Sequence, residues 1–333
     1  MIVDYNPFVK LMNFLDLIEK EPVVPREYYS LQQQNKKNNH NFQNNNELQN
    51  TDHFQVLSYN ILAENVAYKF IFFHTALPYL NFKNYRAPRI IDEIKQYLPS
   101  IICLQEVDHF EDFYQNQLQN LGYTVYINKR TKFKPHGTLI GFQNDQWDLI
   151  DIENLDYNKA INLKEYKVNS NGITALLKSK KSGKFVCASS IHTFYRENQV
   201  KYAQVAYTTY HINQFLQKNN LDKENTAIII AGDFNAQKDQ DIIQYLYGNQ
   251  PQQKDDKNYE KYQWIYQKQK YLCQQKMPGN KSEIDFIFYS EKSLEVTKLL
   301  KPAQESYLNE SGGTPNKYFS SDHLRIQAEF KFK

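Results

Sequence analysis

The stretch IIIAGDFNAQ, residues 228–237, decides how the chain reads. Three isoleucines followed by an alanine make a short, fully apolar run, the mark of a strand buried on both faces. That run then ends in Asp233 and Asn235, with Phe234 between them. Positions two apart on an extended chain point the same way. A carboxylate and an amide are therefore aimed together at one spot on the lip of an apolar sheet.

Similar runs recur on either side. FQVLSYNIL (54–62), SIICLQEV (100–107), GTLIGFQ (137–143), ITALLKSK (173–180), KFVCASSIHT (184–193), EIDFIFYS (283–290) and HLRIQAEF (323–330) all read as strands. ITALLKSK and KFVCASSIHT flank KSG and predict an antiparallel hairpin. In the last run Leu324, Ile326, Ala328 and Phe330 alternate with Arg325, Gln327 and Glu329, which predicts one buried and one wet face. Helices are expected over 87–98, 110–121, 198–218 and 239–246. Mixed strands, hairpins and interspersed helices predict a layered α/β sandwich with sheet on sheet inside.

Composition narrows the class. Of 333 residues 41% are hydrophobic, enough for a sizeable core, and a net charge of +3 announces no global basic field for nucleic acid. Three cysteines, Cys103, Cys187 and Cys273, make neither a disulfide framework nor a CxxC zinc pair. The expectation is a reducing, intracellular compartment, cytoplasmic with the nucleus open. No stretch is long and apolar enough to span a bilayer, and the start, broken by Asp4, Lys10, Asp16, Glu19 and Lys20, lacks a signal-peptide core. Residues 31–51 are rich in Asn and Gln and read as a linker. Residues 1–30 form an arm with a short helix near 7–20, and 52–333 a single domain. The 26 tyrosines accompany abundant Asn, Lys and Ile, so they are weak evidence for base stacking.

Polar groups collect at the strand ends. Asn60 ends the first strand, Glu106 the second, His192 the hairpin strand, and Asp233 with Asn235 the isoleucine strand. Asp285 interrupts EIDFIFYS, and Asp322 and His323 precede the last. Taken singly, each has a plain structural account: Asn and Asp form turns, Glu is solvated, His satisfies itself in a core. Asp285 is harder to place that way, because Ile284, Phe286, Ile287 and Phe288 surround it with apolar neighbours. Together they supply four carboxylates, two amides and two imidazoles. Hard oxygen donors without thiolates or HExxH suit Mg²⁺, whose coordination substrate phosphate completes, and not zinc. A carboxylate paired with a histidine makes an oriented acid–base group. The chemistry indicated is hydrolysis of a phosphate ester.

The ordered set SYNIL, LQEV, IHT, GDFNA, IDFIFYS and SSDHL resembles the endonuclease/exonuclease/phosphatase superfamily over about residues 54–330. The resemblance implies a four-layer, deoxyribonuclease-I-like α/β sandwich and Mg²⁺-dependent phosphodiester hydrolysis, with Mn²⁺ as a substitute. It implies that Glu106 ligates the metal with Asn60 nearby and Asp322 supporting the metal or the histidine. Asp233 would orient water, Asn235 and His192 would contact the phosphate, and His323, held by Asp285, would face it. NYRAPRIIDEIKQYLPSIICLQEVDHFEDFY and GGTPNKYFSSDHLRIQAEF look like the carbon-catabolite-repressor type, which includes deadenylases, nocturnin and the Angel proteins. Arg130, Lys132, Lys134 and Lys201 would then form a phosphate track. RNA 3′ ends, poly(A) among them, are the expected partner. Three functions are carried forward: a 3′-5′ exoribonuclease of deadenylase type, a phosphatase on terminal or 2′,3′-cyclic phosphates or a small nucleotide, and an inactive RNA- or protein-binding scaffold. The chain departs from the pattern in having His136 where an acid usually precedes Gly137, and in a short loop between His192 and Lys201.

Overall fold

The computed structural model describes residues 23–31, 52–129, 136–159, 170–248, 269–271 and 282–333. Thirteen strands form two sheets. In chain order they are β1 (Tyr28–Ser30), β2 (His53–Asn60), β3 (Ile101–Val107), β4 (Tyr123–Lys129), β5 (Gly137–Gln143), β6 (Trp147–Leu155) and β7 (Asn171–Ser179), then β8 (Phe185–His192), β9 (Ala227–Asp233), β10 (Gln269–Tyr271), β11 (Asp285–Ser290), β12 (Leu294–Leu300) and β13 (Ile326–Phe332). The first sheet runs β1-β12-β13-β2-β3-β5-β4 and the second β10-β11-β9-β8-β7-β6. Only β2/β3 and β8/β9 pair in parallel, so the sheets are mixed. The expected hairpin is the antiparallel pair β7/β8.

Strand parity explains the layers. On β9, Ile229 and Ala231 pack between the sheets, while Ile228 and Ile230 face the helix layer. On β3, Ile101 and Cys103 point inward, and Ile102 and Leu104 pack outward. Both faces of these strands are covered, so their sequences read as continuous apolar runs. The outer layers are α1 (Ala87–Tyr97) and α2 (Gln115–Asn120) on the first sheet, and α3 (Asn198–Lys218) and α4 (Asp241–Leu246) on the second. This is the expected four-layer sandwich.

Three expectations need adjusting. Residues 23–31 are packed onto the domain: β1 extends the first sheet by pairing with β12, and the buried Arg26 donates to the carbonyls of Lys301 and Arg325. The packed unit therefore takes in this stretch as well as the chain from residue 52; three residues of strand were too short to see in the pattern. The face of β13 expected to be wet is buried, with Arg325, Gln327 and Glu329 all enclosed. Arg325 is covered by α1, where it donates to the Glu93 carboxylate at 3.2 Å, and Gln327 donates to Gln55 at 3.1 Å. Polar alternation marks a face that hydrogen-bonds, and here the partners are protein. Strands β4, β6 and β12 were not anticipated at all. The helix expected at 7–20, most of the 31–51 linker, Cys273, Arg130, Lys132 and Lys134 lie outside the described residues.

Candidate active site

Parity also places the polar groups. Asn60 continues the inward positions Phe54 and Val56 of β2, and His192 continues Val186 and Ala188 of β8. Asp233 follows Ile229 and Ala231 on β9, and Asp285 precedes Ile287 and Tyr289 on β11. All four thus face the seam between the sheets, at the same end. Register confirms it, since Asp233 stands opposite both His192 and Asp285. Glu106 has the wrong parity, since Ile102 and Leu104 point outward. A bulge between Leu104 and Val107 corrects this, with Glu106 itself at φ 58°. A left-handed glutamate inside a strand costs of order 1–3 kcal/mol and re-aims one side chain.

The centre of the site is the buried carboxylate of Asp233. Its Oδ2 accepts from Asn60 Nδ2 at 3.0 Å and lies 3.5 Å from His192 Nε2 and 3.7 Å from His323 Nε2. Its Oδ1 accepts from the Asn235 backbone N–H at 2.8 Å. The Asn60 amide also donates to Glu106 Oε1 at 3.2 Å, and Glu106 Oε2 accepts from Ala63 N–H at 3.1 Å. His323 Nδ1 is paired with Asp285 Oδ2 at 2.7 Å, which fixes the ring. Asn235, at φ 48°, donates through its amide to Thr193 O at 3.1 Å, leaving a second amide hydrogen.

Electrostatics follow from burial. Desolvation pushes the Asp233 carboxyl well up, against the pull of the His323 imidazolium. At His323, burial opposes the charged ring, but Asp285, Asp233 and Asp322 outweigh it and hold the pKa well above the ordinary value. Burial lowers Lys201, with Asp233 and Glu197 acting in the opposite sense; its Nζ donates to Asn198 Oδ1 at 3.1 Å. Asp322 accepts from Ser321 Oγ at 3.4 Å and acts on His323 by charge. His136 is buried beside Gly137 at this end of the first sheet. Asp233, Asp285 and His323 have donor atoms within 4.8 Å of one another, an arrangement able to hold a metal ion. Among the described residues Asp285 Oδ1 is buried with no hydrogen-bond partner, so the pocket has an unspent oxygen donor.

Three supporting residues lie inside the motifs quoted above but were not singled out there. Arg86, fully buried, donates to the carbonyls of Ser320, Ile61 and Leu62, fastening the segment after Asn60 to the one before His323. Ser321 Oγ donates to Asn60 O at 2.7 Å and accepts from His323 N–H. Thr193 donates from its N–H to Asp233 O and from Oγ1 to Phe234 O. An arginine in the turn just ahead of a helix is unremarkable by itself; only its burial gives it away.

Two mixed sheets with helices outside and an acid–amide–imidazole cluster at one end of the seam define the deoxyribonuclease-I-like class of sandwich. The chain belongs to the Endonuclease/Exonuclease/phosphatase family, whose model matches residues 57–323. It is 27% identical over 332 residues to the Candida albicans CCR4-Not complex 3′-5′-exoribonuclease subunit Ccr4, covering 86% of this chain and 42% of that protein. It is 30% identical over 193 residues to the Danio rerio protein angel homolog 2, covering 55% of this chain and 33% of that one. The chain thus spans less than half the length of these relatives. Among solved structures, ANGEL2, a 2′,3′-cyclic phosphatase, in complex with adenosine-2′,3′-vanadate, superposes with a TM-score of 0.72 at 21% identity, covering 93% of this chain and 99% of that one. The human Nocturnin catalytic domain with bound sulfate gives 0.62 at 21% identity, covering 92% and 98%. At that identity the likeness is one of fold.

Proposed function

We propose that the protein is a Mg²⁺-dependent phosphodiester hydrolase that shortens RNA from its 3′ end, with poly(A) among its substrates. The observation that carries this is the convergence of Asn60, His192 and His323 on the Asp233 carboxylate, with Glu106 beside them. The family match and the similarity to Ccr4 subunits support the substrate class.

Glu106 and Asn60 would hold the metal, with Asp322 in support and Mn²⁺ able to substitute. The hard oxygen donors and the unspent Asp285 oxygen fit such an ion. When bound, the ion neutralises charge on the phosphate oxygens. Asp233, its basicity raised by burial, orients water and takes its proton. His323, held charged by its carboxylates, and His192 donate to the phosphate, and Asn235 adds its second amide hydrogen. Lys201, Arg130 and Lys132 contribute phosphate contacts, with Lys134 close by in the sequence.

The test is purified full-length chain with Mg²⁺ and an oligo(A)-tailed RNA. Shortening that Glu106→Ala abolishes, in a variant shown to fold, is the expected result; intact RNA under excess enzyme refutes the reading. A second reading, a phosphatase on terminal or 2′,3′-cyclic phosphates, is supported by the 30% identity over 193 residues to protein angel homolog 2, ANGEL2 being a 2′,3′-cyclic phosphatase. Phosphate release or ring opening without chain shortening selects it. An inactive scaffold is disfavoured, because all eight site positions keep the expected residue types.

A further inference from the structure

Nine large hydrophobic side chains are exposed among the described residues, and they are not spread evenly. Six of them, Tyr68, Phe70, Ile71, Phe73, Leu77 and Tyr195, lie just beyond two site strands, β2 with Asn60 and β8 with His192. Phe70 and Phe73 are 79% and 78% exposed, which is rare for phenylalanine and unfavourable unless something covers them.

The loop is built to present these rings. Lys69, itself exposed, donates from Nζ to Phe73 O at 2.7 Å and to Thr75 O. These bonds hold the loop closed while the aromatic rings stay exposed. Tyr68 and Phe70 are stacked, with centroids 5.4 Å apart and planes within 11°. The far end of the loop is docked on the segment leading to His323. Thr75 Oγ1 donates to Pro315 O at 2.6 Å, His74 Nε2 lies 3.3 Å from Thr314 O, and Thr314 Oγ1 donates to Asp322 O at 3.3 Å. Two contacts therefore lead from the anchored end of the aromatic loop to the residue preceding His323, which ties the loop to the rim of the site. On the loop following His192, the exposed Arg196 lies 5.0 Å from the Tyr195 ring, a cation for a polyanion passing the same mouth.

A membrane or protein seated on this rim would close the mouth that a substrate must enter. A strand of the substrate itself covers the rings and leaves the mouth in use. We propose that Tyr68, Phe70 and Phe73 form a stacking platform for unpaired bases of a polynucleotide held beyond the scissile phosphate. The enzyme then reads a run of single strand and not one terminal nucleotide. This rests on RNA being the substrate, as proposed above. Base–aromatic stacking tolerates any sequence because every base has a π-face, and each stacked base is worth roughly tenfold in binding.

The experiment measures kcat and KM of the full chain with Mg²⁺ on single-stranded oligoadenylates from a dimer to about a dodecamer, within the usual single-strand site sizes. Wild type is compared with Phe70→Ala/Phe73→Ala and Phe70→Trp/Phe73→Trp, all checked by thermal melting. The expected result is a KM that falls with length in wild type and in the Trp pair. In the Ala pair KM on the longest substrate should rise about tenfold or more, with kcat and dimer cleavage unchanged. Equal length dependence in wild type and the Ala pair overturns the platform. A wild type that cleaves the dimer with no gain from length overturns it too and leaves the proposed function standing. No cleavage of any oligonucleotide overturns both. Flotation with phosphatidylcholine/phosphatidylserine vesicles that the Ala pair abolishes assigns the rings to a lipid surface and overturns it.

Discussion

Asn60 and Asp233 lie 173 positions apart in the chain, yet the Asn60 amide donates to Asp233 Oδ2 at 3.0 Å and so joins the ends of the two sheets. This hydrogen bond ties the two sheets together at the site and, with the Asn235 N–H, orients the central carboxylate. It also spends one lone pair of Asp233 on a neutral donor, which helps the carboxylate to remain ionised against its burial.

Asp233→Asn should remove the proton acceptor while keeping the shape. Loss of general-base catalysis is worth about 10²–10⁴ in kcat. Because a buried carboxylate is replaced by a neutral amide, the melting temperature should stay level or rise. Steady-state kinetics beside thermal melting checks this; unchanged kcat removes Asp233 from the reaction.

Gly232→Ala should be among the most damaging single changes. At φ 154° a Cβ would sit 1.9 Å from Ile191 O, inside the parallel pairing of β8 and β9. Neither a strand backbone nor its partner can yield that distance. A loss above about 4 kcal/mol in urea unfolding is expected, at the exceptional end for point changes. A variant within about 1 kcal/mol of wild type contradicts so close an approach of the two strands.

Arg86→Lys keeps the charge but loses the fork that reaches Ser320, Ile61 and Leu62. Hydrogen bonds to charged groups are worth about 1.5–3 kcal/mol each, so losing one or two should cost about 2–5 kcal/mol in denaturant unfolding. The catalytic segments should also lose registration, with kcat falling more than KM rises.

His109 makes stability depend on pH. Partial burial opposes its charge, but Asp112 at 2.7 Å and Glu64 at 2.8 Å outweigh it and raise its pKa above 6.5. A histidine whose folded pKa is raised stabilises fully below its unfolded value and loses that contribution as pH climbs through the folded one. The stability gap between wild type and His109→Asn should therefore be widest below pH 6.5 and narrow above it. Asparagine suits the left-handed backbone there, at φ 47°. Urea midpoints across that range test it, and a gap that widens with rising pH refutes the assignment.

Much was legible because it is local. Apolar runs marked eight strands, and polar residues marked their ends. The parity argument assumed an extended chain as far as Asn235, but β9 ends at Asp233 and Asn235 is left-handed at φ 48°; what joins the pair is the Asn235 N–H bond to Asp233 Oδ1. The runs at 137–143 and 198–218 match β5 and α3 residue for residue. Weaker patterns stayed hidden: β6 carries an exposed Asp148 and half-buried Asp151 and Glu153 that pair with Lys218 and His211 of α3, so it reads as a polar loop, and β1 is three residues long.

Long-range geometry was not legible. That Glu106 reaches the seam depends on a left-handed bulge, and nothing in LQEV distinguishes that from a solvated glutamate. The sequence by itself determined the layered α/β class, the family and the residue types of the site, because periodicity and motif order are properties of the chain. Only the tertiary structure decided that Arg325, Gln327 and Glu329 are enclosed, that Arg86 fastens the segment after Asn60 to the one before His323, and that Phe70 and Phe73 stand exposed. Burial is set by what packs opposite a residue, and that partner lies up to hundreds of positions away.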